Sequence, residues 1–257
     1  WLPPFHDMGL IGGILEAIWT GYHVVLMDPK HFVARPLRWM EAIHRFKADV
    51  SGGANFAYDL CADAIAKVDE AEFDLSRWRL AYSGAEPVRS ACIERFSKAF
   101  SPFGFRQAAI YPCYGLAEAT LMATGPNPGV ERPVIEKFKA ADLEKGRASP
   151  VGERGAADAD VRSLVSCGTP CADTVIEIVD PKSGSIVEDG VSGEIWIAGS
   201  AVFRGYHRDD AATMDAWRTL SHHPTRPFFA SGDMGFLHKG ELYVTGRFKD
   251  MMIFRGR

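Results

Sequence analysis

The chain has 257 residues, of which 47% are hydrophobic and 24% charged, and its net charge is −4. That balance fits a soluble globular protein with one large domain or two modest ones, and it offers no basic field to a nucleic acid. The cysteines Cys61, Cys92, Cys113, Cys167 and Cys171 are odd in number and lack zinc-ribbon spacing, which points to buried thiols in a cytoplasmic protein.

In chain order, residues 8–20 read as an apolar helix and residues 22–28 as a buried strand. Residues 9–27 are the only stretch long enough for a transmembrane segment. They carry Glu16, His23 and four glycines and break at Gly21-Tyr22-His23, so a buried helix followed by a buried strand is expected instead. No signal peptide is expected, because the chain opens at Trp1 without a Met or a basic region. Its opening in an apolar Trp-Leu-Pro-Pro phrase and its end at Phe254-Arg255-Gly256-Arg257 suggest a piece of something longer.

Residues 35–47 place Leu37, Met40, Ile43 and Phe46 on one helical face, with Pro36 in the first turn. A short strand over 49–52, a helix capped by Asn55 and running to about 68, and a strand over 80–83 follow. Residues 88–100 form a helix with Ile93, Phe96 and Phe100 inward, and residues 108–111 another strand. Strands alternating with helices predict an α/β fold with a parallel sheet.

Residues 126–165 are rich in Gly, Pro, Ala, Asp and charge, and only 134–138 look ordered. From residue 164 the pattern changes to short alternating runs over 174–179, 193–198, 228–230, 235–237, 241–245 and 251–254. Turn signals stand at Asp180-Pro-Lys-Ser-Gly184 and Lys239-Gly240, and residues 209–217 look helical. These predict a small antiparallel sheet or β-barrel-like subdomain. The expected division is an α/β portion over 1–125, an insertion over 126–165, a β portion over 166–247 and a hinge over 248–257.

Several motifs admit both a chemical and a structural reading. Tyr111-Pro-Cys-Tyr-Gly-Leu-Ala-Glu-Ala-Thr120 combines a flat ring at Tyr114, open backbone at Gly115 and a hard oxygen ligand at Glu118. It reads equally as a strand-to-helix corner with a solvated Glu. Gly84-Ala85-Glu86-Pro87 follows a strand and precedes a helix, where bare backbone can meet a flat base or simply cap the helix. His6, just before the first helix with Asp7 in a cap position, can line a site or serve structure. Asp233 in Ser231-Gly-Asp233 could accept two ribose hydroxyls or close an ordinary turn. Arg247 in Thr245-Gly-Arg-Phe-Lys-Asp250 is phosphate- or ribose-directed or part of an exposed edge. Gly193-Glu-Ile-Trp196 and Arg204-Gly-Tyr206 read as structural, and His222-His223 as a solvated loop.

Taken together, these motifs resemble the adenylate-forming superfamily, and most of all its fatty acyl-AMP ligase branch. The phrases are Trp1-Leu-Pro-Pro-Phe-His-Asp-Met-Gly-Leu10, Ser51-Gly-Gly-Ala-Asn-Phe-Ala-Tyr-Asp-Leu60, Gly84-Ala-Glu-Pro87, Tyr114-Gly-Leu-Ala-Glu-Ala-Thr120, Gly193-Glu-Ile-Trp196, Ser231-Gly-Asp233 and Gly246-Arg-Phe-Lys-Asp250. The resemblance implies ATP or AMP bound by Gly84, Ala85, Glu86, Pro87, Tyr114, Gly115, Leu116, Ala117, Asp233 and Arg247. It implies Mg²⁺ held by Glu118 alone, with Glu118 and His6 as the catalytic residues. It places His6 and residues 51–60 near an apolar acyl channel and a hinge at Lys249. The implied activity is conversion of a fatty acid to acyl-adenylate for an acyl carrier protein. An acyl-CoA ligase and a non-catalytic acyl-adenylate binder are the alternatives.

Ala117 stands where the wider superfamily has Thr, as in the fatty acyl-AMP ligase branch, and Ser231 replaces Thr. By the same resemblance, the insertion near 126–165 restrains a C-terminal domain. A Lys-containing phosphate loop would precede Trp1, and a domain with a catalytic Lys would follow Arg257. The chain by itself is therefore expected not to form an adenylate efficiently.

Overall fold

The computed structural model describes residues 1–127, 133–152 and 160–248. The first helical run comprises α1 (Asp7–Gly9), a π-helical stretch Leu10–Leu15 and α2 (Glu16–Thr20), closed by Gly21 in the left-handed region at φ 75°. This run is not buried as expected, since Trp19 is 91% exposed and Ile18 74%. Residues 22–28 form no strand, and Leu26 is 63% exposed. An apolar β-branched run has the propensity for a strand, but a strand also needs a ladder partner, and none pairs here among the described residues.

Next come α3 (Pro29–Ala34) and α4 (Leu37–Phe46). The α4 helix buries Leu37, Trp39, Met40 and Ile43, while Phe46 lies exposed at its end before left-handed Lys47. Strand β1 (Val50–Gly53), α5 (Asn55–Ile65), β2 (Leu80–Ser83), α6 (Ser90–Phe100) and β3 (Ile110–Pro112) complete the first layer. The strands β1, β2 and β3 form a parallel sheet in that order, pairing Gly53 with Ser83 and Ser83 with Pro112. Ile93, Phe96 and Phe100 of α6 are buried as their spacing predicts.

A hairpin follows, with β4 (Tyr114–Leu116), the 3₁₀ turn Ala117–Ala119 and β5 (Leu121–Gly125). Gly115 therefore sits in a strand rather than a strand-to-helix corner. A Cβ there would fall 1.5 Å from the Leu121 carbonyl oxygen, so the close approach that requires glycine is to the chain's own backbone. Beyond it lie β6 (Ile135–Lys139), α7 (Ala140–Leu143), β7 (Val161–Val165) and β8 (Thr169–Pro170). The 126–165 segment thus holds a β6–β7 antiparallel pair, running from Ile135–Val165 to Lys139–Val161.

The last portion contains β9 (Val175–Val179), β10 (Gly193–Ala198), α8 (Asp210–Ala216), β11 (Trp217–Leu220), β12 (His223–His238) and β13 (Glu241–Arg247). They form an open five-stranded antiparallel sheet, and no closed barrel occurs among the described residues. The expected runs at 228–230 and 235–237 are parts of the single long strand β12. His223 opens that strand, 3.3 Å from Glu177, rather than lying in a solvated loop. Lys239 and Gly240 make the β12–β13 turn with positive φ. The run at 251–254 lies outside the described residues.

One continuous apolar core joins the two portions. Trp78, Phe96, Phe105 and Ile110 belong to the same buried cluster as Ile176, Ile195, Ile197 and Leu242. Among the described residues, no helix is long and apolar enough to cross a membrane.

Candidate active site

A cavity of about 770 Å³ runs along the parallel sheet, from Val50 and Leu80 at the starts of β1 and β2 to Gly84 and Cys113 just past the ends of β2 and β3. Its rim includes His6, Gly84, Ala85, Tyr114, Gly115, Leu116, Ala117, Glu118 and Arg247. Met8, Ile11, Leu80, Tyr82, Leu121 and Met122 give it an apolar wall. No residue of 51–60 lines it.

The Gly84–Pro87 turn is built from behind. Asn55, only 1% exposed, donates to the Pro87 carbonyl at 2.9 Å and accepts from the Arg89 N–H at 3.0 Å. Asn55 is thus a strut inside the first turn of α5, not its cap. Glu86 points the same way and accepts from the Phe56 N–H at 3.3 Å. The Glu86 carboxylate therefore serves the start of α5 instead of the helix that follows it, and neither Glu86 nor Pro87 lines the cavity. Ala85 is held at φ 68°, a conformation costly for a residue with a Cβ. Gly84 passes against Cys113, where a Cβ would lie 3.0 Å from the carbonyl oxygen.

Asp233 occupies a bulge in β12, where three residues intervene between the Ala230–Trp196 and Met234–Glu194 pairs. Gly232 takes φ 74° there, so the segment is a bulge inside a long strand, not a turn between two short ones. The Ser231 hydroxyl donates to the Ile195 carbonyl at 2.7 Å and accepts from the Asp233 N–H at 3.1 Å. Glu194 accepts from the Gly232 N–H at 2.9 Å and from the Trp196 indole at 2.8 Å. These bonds give the Gly193-Glu-Ile-Trp196 motif a supporting role behind Asp233.

The Asp233 carboxylate is 7% exposed and carries two partners. The Tyr114 hydroxyl donates to Oδ2 at 2.8 Å, and Arg247 Nε donates to Oδ1 at 3.1 Å. Burial, followed by the charge of Asp233, pushes the Tyr114 phenol well above its ordinary range, so it stays a donor. Each carboxylate oxygen retains a lone pair, as an acceptor of sugar hydroxyls requires.

Glu118 lines the cavity, which Asp233 itself does not, and is half-buried. Its Oε1 accepts from the Tyr206 hydroxyl at 2.9 Å. Burial and the bond to Glu118 push the Tyr206 phenol up to about 12. No group of three or more His, Cys, Asp and Glu side chains could hold a metal among the described residues. One carboxylate with a spare oxygen suits Mg²⁺, which usually takes its other ligands from water and substrate phosphates.

His6 is the N-cap of α1. Its Nδ1 accepts from the Met8 N–H at 3.2 Å, and Asp7 Oδ1 accepts from the same group at 2.7 Å. Burial pushes the Cys113 thiol up to about 12. All five cysteines are free; Cys61, Cys92 and Cys167 are buried, and Cys113 and Cys171 only partly so. Lys249 lies outside the described residues. Sequence reasoning missed Tyr206 and the strut role of Asn55. Both act across long separations, and neither has a local signal.

The family model of the AMP-binding enzymes matches residues 1–207. The chain belongs to the AMP-binding enzyme family. Among its relatives is the medium-chain-fatty-acid–[acyl-carrier-protein] ligase JamA of Moorena producens. It is 40% identical over 258 residues, covering all of this chain and 43% of JamA. The ligase of the same description from Teredinibacter turnerae, TtuA, is 38% identical and is covered to 40%. Among solved structures, the fatty acyl-adenylate ligase of L. pneumophila, in complex with acyl adenylate and pyrophosphate, superposes with a TM-score of 0.90. It shares 40% identity over 98% of this chain and 44% of its own. The chain thus spans about two fifths of the length of the relatives it matches.

Proposed function

We propose that the whole protein is a fatty acyl-AMP ligase, which joins a fatty acid to AMP from ATP and passes the acyl group to an acyl carrier protein. The observation that carries this reading is one cavity whose rim holds Gly84, Ala85, Tyr114 and Glu118 while its wall is apolar. The names of the relatives JamA and TtuA, both fatty-acid–[acyl-carrier-protein] ligases, point to the same acid and acceptor.

In this reading the acid's carboxylate attacks the α-phosphorus in line; the acyl–oxygen–phosphorus bond forms and pyrophosphate leaves with the electron pair. Gly84 and Ala85 offer backbone to the adenine, and Tyr114 supplies a flat neighbour. Gly115 and Leu116 of β4, with Ala117 at the start of the 3₁₀ turn, lie beside the phosphates. Asp233 and Arg247 take the ribose hydroxyls. His6 stands at the mouth of the acyl pocket. Glu118 holds Mg²⁺, which offsets phosphate charge when bound. The chain's own contribution is positioning and electrostatics. Residues 1–125 would supply the adenine and acyl sites, 126–165 the insertion and 166–247 the ribose carboxylate. Residues 248–257, with Lys249, would form the hinge. Work in the cytoplasm fits ATP as co-substrate and the free thiols.

The test is to give the whole protein ATP, Mg²⁺, dodecanoic acid and CoA and to identify the product by mass spectrometry. Acyl-AMP without acyl-CoA is expected. Acyl-CoA as main product would move the protein to the CoA ligases, and binding of an acyl-AMP analogue without turnover would make it a binding module.

A further inference from the structure

The loop 199–209 touches the Glu118 turn at three points. The Phe203 N–H donates to the Glu118 carbonyl at 2.7 Å, and the Thr120 hydroxyl donates to the Ala201 carbonyl at 2.5 Å. The third contact is between side chains, from the Tyr206 hydroxyl to Glu118 Oε1 at 2.9 Å.

Tyr206 is itself fixed without its hydroxyl. Its N–H donates to Thr213 Oγ1 at 2.8 Å, and its ring stands edge-on to Phe203 at 4.9 Å. Gly205 packs so closely that a Cβ would come within 2.6 Å of the Thr213 methyl. The loop is therefore moored by bonds that do not involve the phenol oxygen. Among the described residues that oxygen bonds to Glu118 alone, and no other hydrogen bond fixes the Glu118 carboxylate. A bond that adds little to the loop but fixes a carboxylate is a bond to the function of that carboxylate.

We propose that Tyr206 is a positioning residue for divalent-cation binding, holding one oxygen of Glu118 so that the other remains available to the metal. The inference rests on the metal role given to Glu118 above. A ligating carboxylate with one oxygen engaged loses less rotamer freedom when the cation arrives, and partners of metal ligands typically contribute about tenfold or more in affinity.

The experiment compares wild type, Tyr206→Phe and Glu118→Gln in the whole protein. Adenylation is followed as MgCl₂ is titrated at fixed ATP and acid. Separately, Mn²⁺ occupancy is read by electron paramagnetic resonance with α,β-methylene-ATP bound. Tyr206→Phe is expected to raise the half-saturating Mg²⁺ about tenfold or more, to weaken Mn²⁺ binding similarly, and to keep kcat at saturating Mg²⁺ within about twofold. Thr213→Val, which frees the Tyr206 backbone, should move both readouts in the same direction by less. If Tyr206→Phe leaves Mn²⁺ binding and the Mg²⁺ response unchanged while Glu118→Gln alters them, the positioning role is overturned and the metal role of Glu118 stands. If Glu118→Gln also leaves them unchanged, the metal role falls and this inference with it.

Discussion

Tyr114 and Asp233 stand 119 positions apart in the chain, and the Tyr114 hydroxyl donates to Asp233 Oδ2 at 2.8 Å. The bond ties the β4–β5 hairpin beside the parallel sheet to the bulge in the antiparallel sheet. Both groups are buried, so each would be costly to leave alone.

Tyr114→Phe is expected to destabilise the whole protein by about 1–3 kcal/mol, since Arg247 remains to satisfy Asp233. The difference should depend on pH in one direction. The folded-state pKa of Tyr114 is raised well above the ordinary value of 10.0, so its contribution is fully present below that pH and declines progressively as pH rises from there through the raised value. Urea denaturation at pH 7, 9 and 10.5 should give equal wild-type-to-mutant gaps at the first two and a smaller gap at the third.

On the proposed ribose role, Asp233→Ala in the whole protein should raise the KM for ATP and lower kcat/KM at least about tenfold, through loss of charge-assisted bonds to two hydroxyls. Steady-state kinetics with varied ATP checks this. Unchanged constants would remove Asp233 from the ribose site.

Asn55→Ala should cost about 2 kcal/mol and loosen the Gly84–Pro87 turn, because the Pro87 carbonyl and Arg89 N–H lose a buried partner. The expected signature is a lower thermal midpoint together with a raised KM for ATP. A loss of stability with ATP binding intact would leave Asn55 a structural residue only.

Two glycines near the cavity should behave oppositely. Gly115→Ala places a methyl 1.5 Å from the Leu121 oxygen and is expected to cost at least about 3 kcal/mol. Gly13→Ala meets nothing closer than 3.9 Å and lies in a helical run, where Ala is favoured over Gly by about 1 kcal/mol. Parallel thermal melts compare them directly.

Much of the fold is legible locally. The spacing of Ile93, Phe96 and Phe100 marks the buried face of α6, and 193–198 coincide with β10. The resemblance carried by the motifs also brings Gly84, Ala85, Tyr114, Glu118 and Arg247 to one cavity. Residues 22–28 show the limit of such reading. Their apolar run has strand propensity, but pairing depends on another segment, and the described structure leaves them unpaired.

The sequence by itself determined the alternation of strands and helices, the later change to antiparallel strands, and the membership of the AMP-binding family. These follow from side-chain period, turn chemistry and motif order, all of which act over short stretches of chain. Only the tertiary structure decided that Glu86 turns to the start of α5, that Asn55 braces the Gly84–Pro87 turn, and that Gly115 is required by Leu121. It alone brought Tyr206 to Glu118, 88 residues away. A hydrogen bond between distant residues is set by where the sheets place two backbones, and no local propensity encodes that distance.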